Sequence, residues 1–176
     1  QTESSLPAAV EQWRGTVIQA CQDCDVDTKW ADLILAMMAA ESGGNLQVSS
    51  VTGARQDIMQ ASEGAYGWII RNGWSKYDIQ PNTAKASIYA GVLEFKQNLE
   101  LWESWLGEID VNDTGKLMLI VQGYNYGASG WFKWCKRNNI RSWTLEVSQR
   151  YSDTMMPSGA KGTPSHAQKV MDYYTP

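Results

Sequence analysis

A single acid, Glu41, stands where a helical stripe of apolar residues runs out, immediately before Ser42, Gly43, Gly44 and Asn45. It follows Ile34 by seven residues and Trp30 by eleven, so on a helix its carboxyl continues the apolar face that those side chains begin. The last turn of a helix disfavours negative charge, and burial penalises the ionised form; both effects raise the pKa of such a group. A carboxyl that stays protonated near neutral pH in a partly apolar pocket can deliver its proton to a departing oxygen. The plainer alternative is a Glu at a frayed helix end turned to solvent. His166, the one histidine, falls in the first turn of a polar helix and is expected to be solvated. With no HExxH, no histidine cluster and no Gly-rich phosphate loop, neither a zinc site nor a nucleotide site has ligands, and no metal or cofactor is expected.

The elements that must hold Glu41 are helical, because helical periodicity dominates and alternating strand patterns are nearly absent. After Pro7, Val10, Trp13, Val17 and Cys21 recur at helical steps and predict a first amphipathic helix. Asp27 and Thr28 offer N-caps for a second, which carries Trp30, Leu33, Ile34, Met37 and Glu41. From Leu46 to Asp57 the chain is rich in Ser, Thr, Gly and Asn and reads as a loop or small hairpin. A short helix follows Ser62, and a long one carries Ile88, Val92, Phe95, Leu99, Trp102 and Leu106 on one face. Asp113 caps a further helix whose run Leu117 to Val121 is apolar all round, the mark of an enclosed position. That helix leads into Gln122-Gly123-Tyr124-Asn125-Tyr126-Gly127. Three more helices are expected around Trp131 to Lys136, Trp143 to Tyr151 and Ser165 to Tyr174, with Pro157 to Pro164 as a loop. No repeat or linker divides the chain, so residues 1–176 read as one mainly α domain with at most a small hairpin.

Composition narrows the function classes. A formal charge of −4 with scattered basic residues offers no stripe for a nucleic-acid backbone. The longest apolar runs, such as Leu33 to Ala40, are far too short to span a membrane. Nine Trp and eight Tyr against two Phe suit surfaces that are part apolar and part wet, although helical spacing places most of them in the core. Three cysteines, Cys21, Cys24 and Cys135, are too few for a disulfide framework. They read as buried or bridged, with no pairing favoured. The chain opens at Gln1 without an initiating Met or a hydrophobic leader, so it reads as a mature or excised piece.

Three segments, Met38 to Gly44, Asp57-Ile58-Met59-Gln60-Ala61-Ser62-Glu63 and Tyr124-Asn125-Tyr126-Gly127, together resemble the lysozyme-like superfamily of goose-type lysozymes and soluble lytic transglycosylases. The chain is most similar to the muramidase domains of bifunctional Gram-positive wall hydrolases carried on conjugative elements. Ala86 to Val92 and Val170 to Tyr174 extend the likeness, which runs from about Val10 to Tyr174. It implies a lysozyme-like fold with a substrate cleft, and cleavage of peptidoglycan between N-acetylmuramic acid and N-acetylglucosamine, by hydrolysis or by lytic transglycosylation. Glu41 would be the general acid. Asp57 and Glu63 are then the candidates for a second catalytic carboxylate, which inversion requires and transglycosylation does not. Gln60 and Ser62 would hold the substrate; Tyr124 would orient the catalytic carboxyl and Asn125 the sugar or the backbone. Ile58 replaces the family's Pro and is expected to loosen the turn that fixes Asp57.

Simpler uses exist for each: an Asx turn at Asp57, a first-turn acid at Glu63, an N-cap at Ser62, and helix termination at Asn125 and Gly127. The resemblance also implies an exported protein working at the cell wall, with peptidoglycan strands as partner and a companion peptidase domain outside these residues. A catalytically weakened glycan-binding module on the same fold is the competing reading.

Overall fold

The computed structural model describes residues 5–50, 53–72, 75–156 and 162–176. Among them the chain forms α1 (Ala8–Glu11), α2 (Arg14–Asp23), α3 (Ala31–Glu41), α4 (Glu63–Arg71), α5 (Ala84–Leu106), α6 (Thr114–Tyr126), α7 (Ala128–Arg137), α8 (Leu145–Met155) and α9 (His166–Met171). Most of the expected loop from Pro157 lies outside the described residues.

The helix starts follow local chemistry. Asp27 accepts from the Lys29 N–H at 2.8 Å and opens a 3-10 turn, Thr28–Trp30, that runs on into α3. Ser62, Thr83, Asp113 and Thr144 each cap the helix they precede by accepting a backbone N–H three residues on, which satisfies a donor that the first turn leaves orphaned. The first predicted helix is two: the chain bends at Gln12 and Trp13, so α1 is a single turn set against α2.

The 23-residue α5 is the spine, with α2, α4, α6 and α7 packed on it. Its predicted face is buried from Ile88 through Trp102. α3 is enclosed more completely, since Ala31 and every residue from Leu33 to Ala40 is buried. The run from Leu117 was expected to be surrounded on all sides, yet Met118 is half-buried and the enclosed place belongs to α3. Most aromatics are core. Tyr126, Trp131, Trp134 and Tyr151 form one ring cluster with centroids 4.9–6.0 Å apart, joining α6, α7 and α8. The segment from Leu46 to Asp57, expected as a loop or small hairpin, carries among the described residues a single antiparallel bridge between Ser49 and Arg55. Cys21, Cys24 and Cys135 are free and buried, and burial pushes the Cys21 thiol up to about 12. Among the described residues no helix is long and apolar enough to cross a membrane.

α9 closes the fold against both α3 and α6. Its anchor is Gln122, fully buried on α6. The Gln122 amide donates to the Thr163 carbonyl at 3.1 Å and accepts from the Ala167 N–H at 3.3 Å. The indole of Trp143 donates to the same amide oxygen, so one side chain fixes where α9 begins.

Candidate active site

α3 stops at Glu41 because Ser42 leaves helical geometry and Gly43 and Gly44 take left-handed φ angles of 63° and 76°. The Gly43 N–H turns back to the carbonyls of Met38 and Ala39, which satisfies acceptors that a helix end would otherwise strand. A Cβ on Gly44 would stand 2.4 Å from the Ala9 carbonyl oxygen, so the approach of α1 admits only glycine. Ser42 then reaches across: its hydroxyl donates to the Ile58 carbonyl at 2.6 Å and accepts from the Gly44 N–H at 3.1 Å.

The segment from Asp57 to Ser62 is a buried turn held from several sides. Asp57 is 2 % exposed. Its carboxylate accepts from the Ser87 hydroxyl at 2.7 Å and from the backbone N–H groups of Gln60 and Ala61. Ser87 in turn accepts the Met59 N–H at 2.9 Å, while the Tyr124 hydroxyl donates to the Met59 carbonyl at 2.6 Å. Met59 lies directly on Gly91, where a Cβ would meet its side chain at 2.8 Å. Gln60, at a φ of 48°, donates its amide N–H to the carbonyls of Asp57 and Ser49. Two expectations are corrected here. Ile58 does not loosen the turn, because its side chain is wholly buried and its carbonyl is held by Ser42. Tyr124 gives its hydroxyl to Met59 rather than to the Glu41 carboxyl, although both side chains belong to one electrostatic group.

Glu94 is the acid that the sequence reading missed. It lies on α5, 7 % exposed, and accepts the Ser62 N–H at 2.7 Å. Burial pushes its carboxyl up to about 7, opposed by the Ser62 backbone and hydroxyl donors. A signal for it existed: Ser87, Gly91, Glu94 and Asn98 recur at steps of four, three and four, forming a small-and-polar stripe on a helix whose other face is apolar.

Burial, first, and then the nearby Glu94 push the Glu41 carboxyl up to about 8; Asp57 adds to the shift and Lys169 opposes it. Its side chain is 16 % exposed, so it is not wholly sealed from solvent. His166 stands beside it, with Nε2 3.3 Å from Glu41 Oε1. The expectation of a solvated histidine is therefore wrong: His166 is buried, because docking of α9 turns its first residue inward with Ala167 and Val170. Burial and the Lys169 charge lower its pKa to about 4. The contact is thus no ion pair near neutrality, since the imidazole is neutral and Glu41 holds its proton.

The remaining candidates divide. Ser62 caps α4 through its hydroxyl and holds Glu94 through its N–H. Asn125 accepts the Thr163 N–H at 2.7 Å and so braces the backbone ahead of α9. Glu63 is exposed in the first turn of α4 and borders a groove of about 390 Å3 with Tyr66, Ile70 and Arg71. The carboxylates acting on Glu41 are Glu94 and Asp57, not Glu63. Among the described residues no group of three His, Cys, Asp or Glu side chains could hold a metal ion. What the arrangement offers is one protonated, partly accessible carboxyl on a rigid helix end, backed by two sequestered ones.

A Staphylococcus aureus subsp. aureus Mu50 protein, described as similar to a lipoprotein of the NLP/P60 family, has the same fold in its crystal structure, with a TM-score of 0.66 at 21% identity. The match covers 96% of this chain and 53% of that one, so this chain spans about half the length of that protein. A comparison with curated proteins gives no match. The family described as Lysozyme-like matches residues 7–176, nearly the whole sequence, and the chain belongs to that family.

Proposed function

We propose that this chain is a muramidase, cutting peptidoglycan strands between N-acetylmuramic acid and N-acetylglucosamine with Glu41 as the acid. The observation that carries the reading is the state of Glu41: a carboxyl raised to about 8 with 16 % of its side chain still accessible. Such a group is protonated at neutral pH and can give its proton to the glycosidic oxygen as the bond to the anomeric carbon breaks.

The burial of Asp57 favours transglycosylation over hydrolysis. A base that activates water on the far face of the sugar must be accessible, with free lone pairs; Asp57 is 2 % exposed and committed to Ser87, Gln60 and Ala61. In this reading the substrate's own 6-hydroxyl attacks the anomeric carbon. Its proton passes to the Glu41 carboxylate, which restores the acid without consuming water. The working place is the bacterial cell wall, reached by export.

Mass spectrometry of fragments released from purified peptidoglycan tests this directly. We expect 1,6-anhydromuramic ends. Reducing muramic ends would make the enzyme a hydrolase, and binding of the wall without any released fragment would make the chain a glycan-binding module.

A further inference from the structure

α9 brings one titratable side chain to Glu41 whose presence the acid chemistry above does not use. His166 Nε2 is buried and has no hydrogen-bond partner, yet it lies 3.3 Å from Glu41 Oε1. That separation belongs to a hydrogen bond within reach but not aligned, as is common for catalytic contacts without substrate. An orphaned buried nitrogen costs free energy that an apolar side chain of similar shape would avoid. The ring is not placed by accident of a mobile end either, since Gln122 grips Thr163 and Ala167 on both sides of it.

We propose that His166 is the positioning residue for Glu41, its Nε2–H directed at Oε1 so that the second carboxyl oxygen carries the proton toward the substrate. This rests on the reading of Glu41 as the acid. The donor tautomer suits both halves of the reaction. It donates to the carbonyl-like oxygen of the protonated acid, and more strongly to the carboxylate left after proton transfer, because hydrogen bonds to ionised groups are the stronger ones. An interaction that strengthens as charge develops lowers the barrier rather than merely tightening binding. A cationic imidazole would instead hold Glu41 ionised and remove the acid.

Burial first, and then the Lys169 charge, keep the ring neutral. Glu41 faces Glu94 on α5, Asp57 on the turn, Tyr124 on α6, and Lys169 with His166 on α9. His166 faces Glu41 and Lys169. Lys169 thus moderates the rise at Glu41 and also discourages protonation of the imidazole.

Because His166 is the sole histidine, its ring nitrogens can be followed by 15N NMR in the whole chain without assignment. In the wild type we expect two steps: the imidazole's own protonation near pH 4, and a smaller shift near pH 8 as Glu41 loses its proton. The second step should vanish in Glu41→Gln. A single step in the wild type, or a second one that persists in Glu41→Gln, overturns the pairing. This measurement needs no activity, so it decides the contact even if the chain cleaves nothing.

Kinetics decide the role. His166→Phe should lower kcat on the order of ten- to a hundredfold at unchanged KM, and should move the alkaline limb of the pH profile upward, because a donor to the carboxylate is lost. His166→Gln, whose amide can still donate, should recover most of kcat. A His166→Phe enzyme with wild-type kcat and pH profile overturns the role, as does a His166→Gln enzyme no better than His166→Phe. Wild-type activity in Glu41→Gln would instead defeat the acid assignment and leave the NMR result standing.

Discussion

Ser42 donates its hydroxyl to the Ile58 carbonyl at 2.6 Å, which ties the residue after Glu41 to the residue after Asp57. Two segments carrying the site's acids are therefore registered by one side chain. Ser42→Ala should cost about 1 kcal/mol in urea unfolding. The rate of wall clearing should fall further than that loss of stability explains, because the end of α3 can then shift against the turn. Equal stability and equal rate would show that the link is idle.

Gly43 and Gly44 share a left-handed φ but differ in surroundings. Nothing lies within 4 Å of a Cβ at Gly43, whereas one at Gly44 meets the Ala9 carbonyl oxygen at 2.4 Å. Gly43→Ala should thus cost only the backbone preference, about 1–2 kcal/mol. Gly44→Ala adds a clash between backbones and should cost more, with the Tm falling accordingly. The comparison is internal, so equal losses would count against the close approach of α1.

Asp57 reads in three dimensions as the pin of its turn. Asp57→Asn keeps an oxygen for the Ser87 hydroxyl and should retain most fragment release from peptidoglycan. Asp57→Ala leaves the Ser87 hydroxyl and the Ala61 N–H without their carboxylate acceptor, while the Gln60 N–H keeps the main-chain carbonyl of residue 57 at 3.1 Å, at a cost of about 1–3 kcal/mol. An inactive but fully stable Asp57→Asn protein would return Asp57 to the role of base.

Glu41 makes stability depend on pH in a direction opposite to the common carboxylate. Its folded pKa of about 8 lies above the ordinary 4.5, so folding favours the protonated form. No penalty exists below about pH 4.5; it grows as pH rises toward 8 and then levels off. Glu41→Gln should consequently be the more stable protein at pH 9, by on the order of a few kcal/mol, and equal to wild type at pH 4. The same variant should release no fragments from walls. Parallel stability curves across this range would contradict the buried acid.

Glu94 is the foremost charge raising Glu41. Glu94→Gln can still accept the Ser62 N–H through its amide oxygen, so the α4 start should hold. With the repulsion gone, Glu41 should ionise at lower pH, and the alkaline limb of activity should move downward. A limb that stays in place would show that burial alone sets the acid.

The parts of the fold legible in the sequence are those encoded locally. The spacing of Ile88 through Trp102 located α5, and Asp27, Ser62 and Asp113 marked helix starts by cap chemistry. Glu41 was legible for the same reason, as an acid in phase with an apolar stripe. His166 was not, because Ser165, Gln168 and Lys169 make its own segment look solvated; burial arrives only when α9 docks on α3. Glu94 hid in the opposite way, within a strong apolar helix whose minor polar stripe went unread. The break at Gln12 and Trp13 escaped because apolar phase carries across it.

The grip of Gln122 on Thr163 and Ala167 has a kinetic meaning. Glu41 and its imidazole neighbour are far apart in the sequence, and the contact between them closes a loop of most of the chain. Contacts of long sequence separation are slow to form, because loop-closure entropy is lost before they stabilise the chain. With α9 undocked, Glu41 would lose the imidazole beside it and part of its cover, so the shift that burial imposes on its carboxyl depends on that helix being in place.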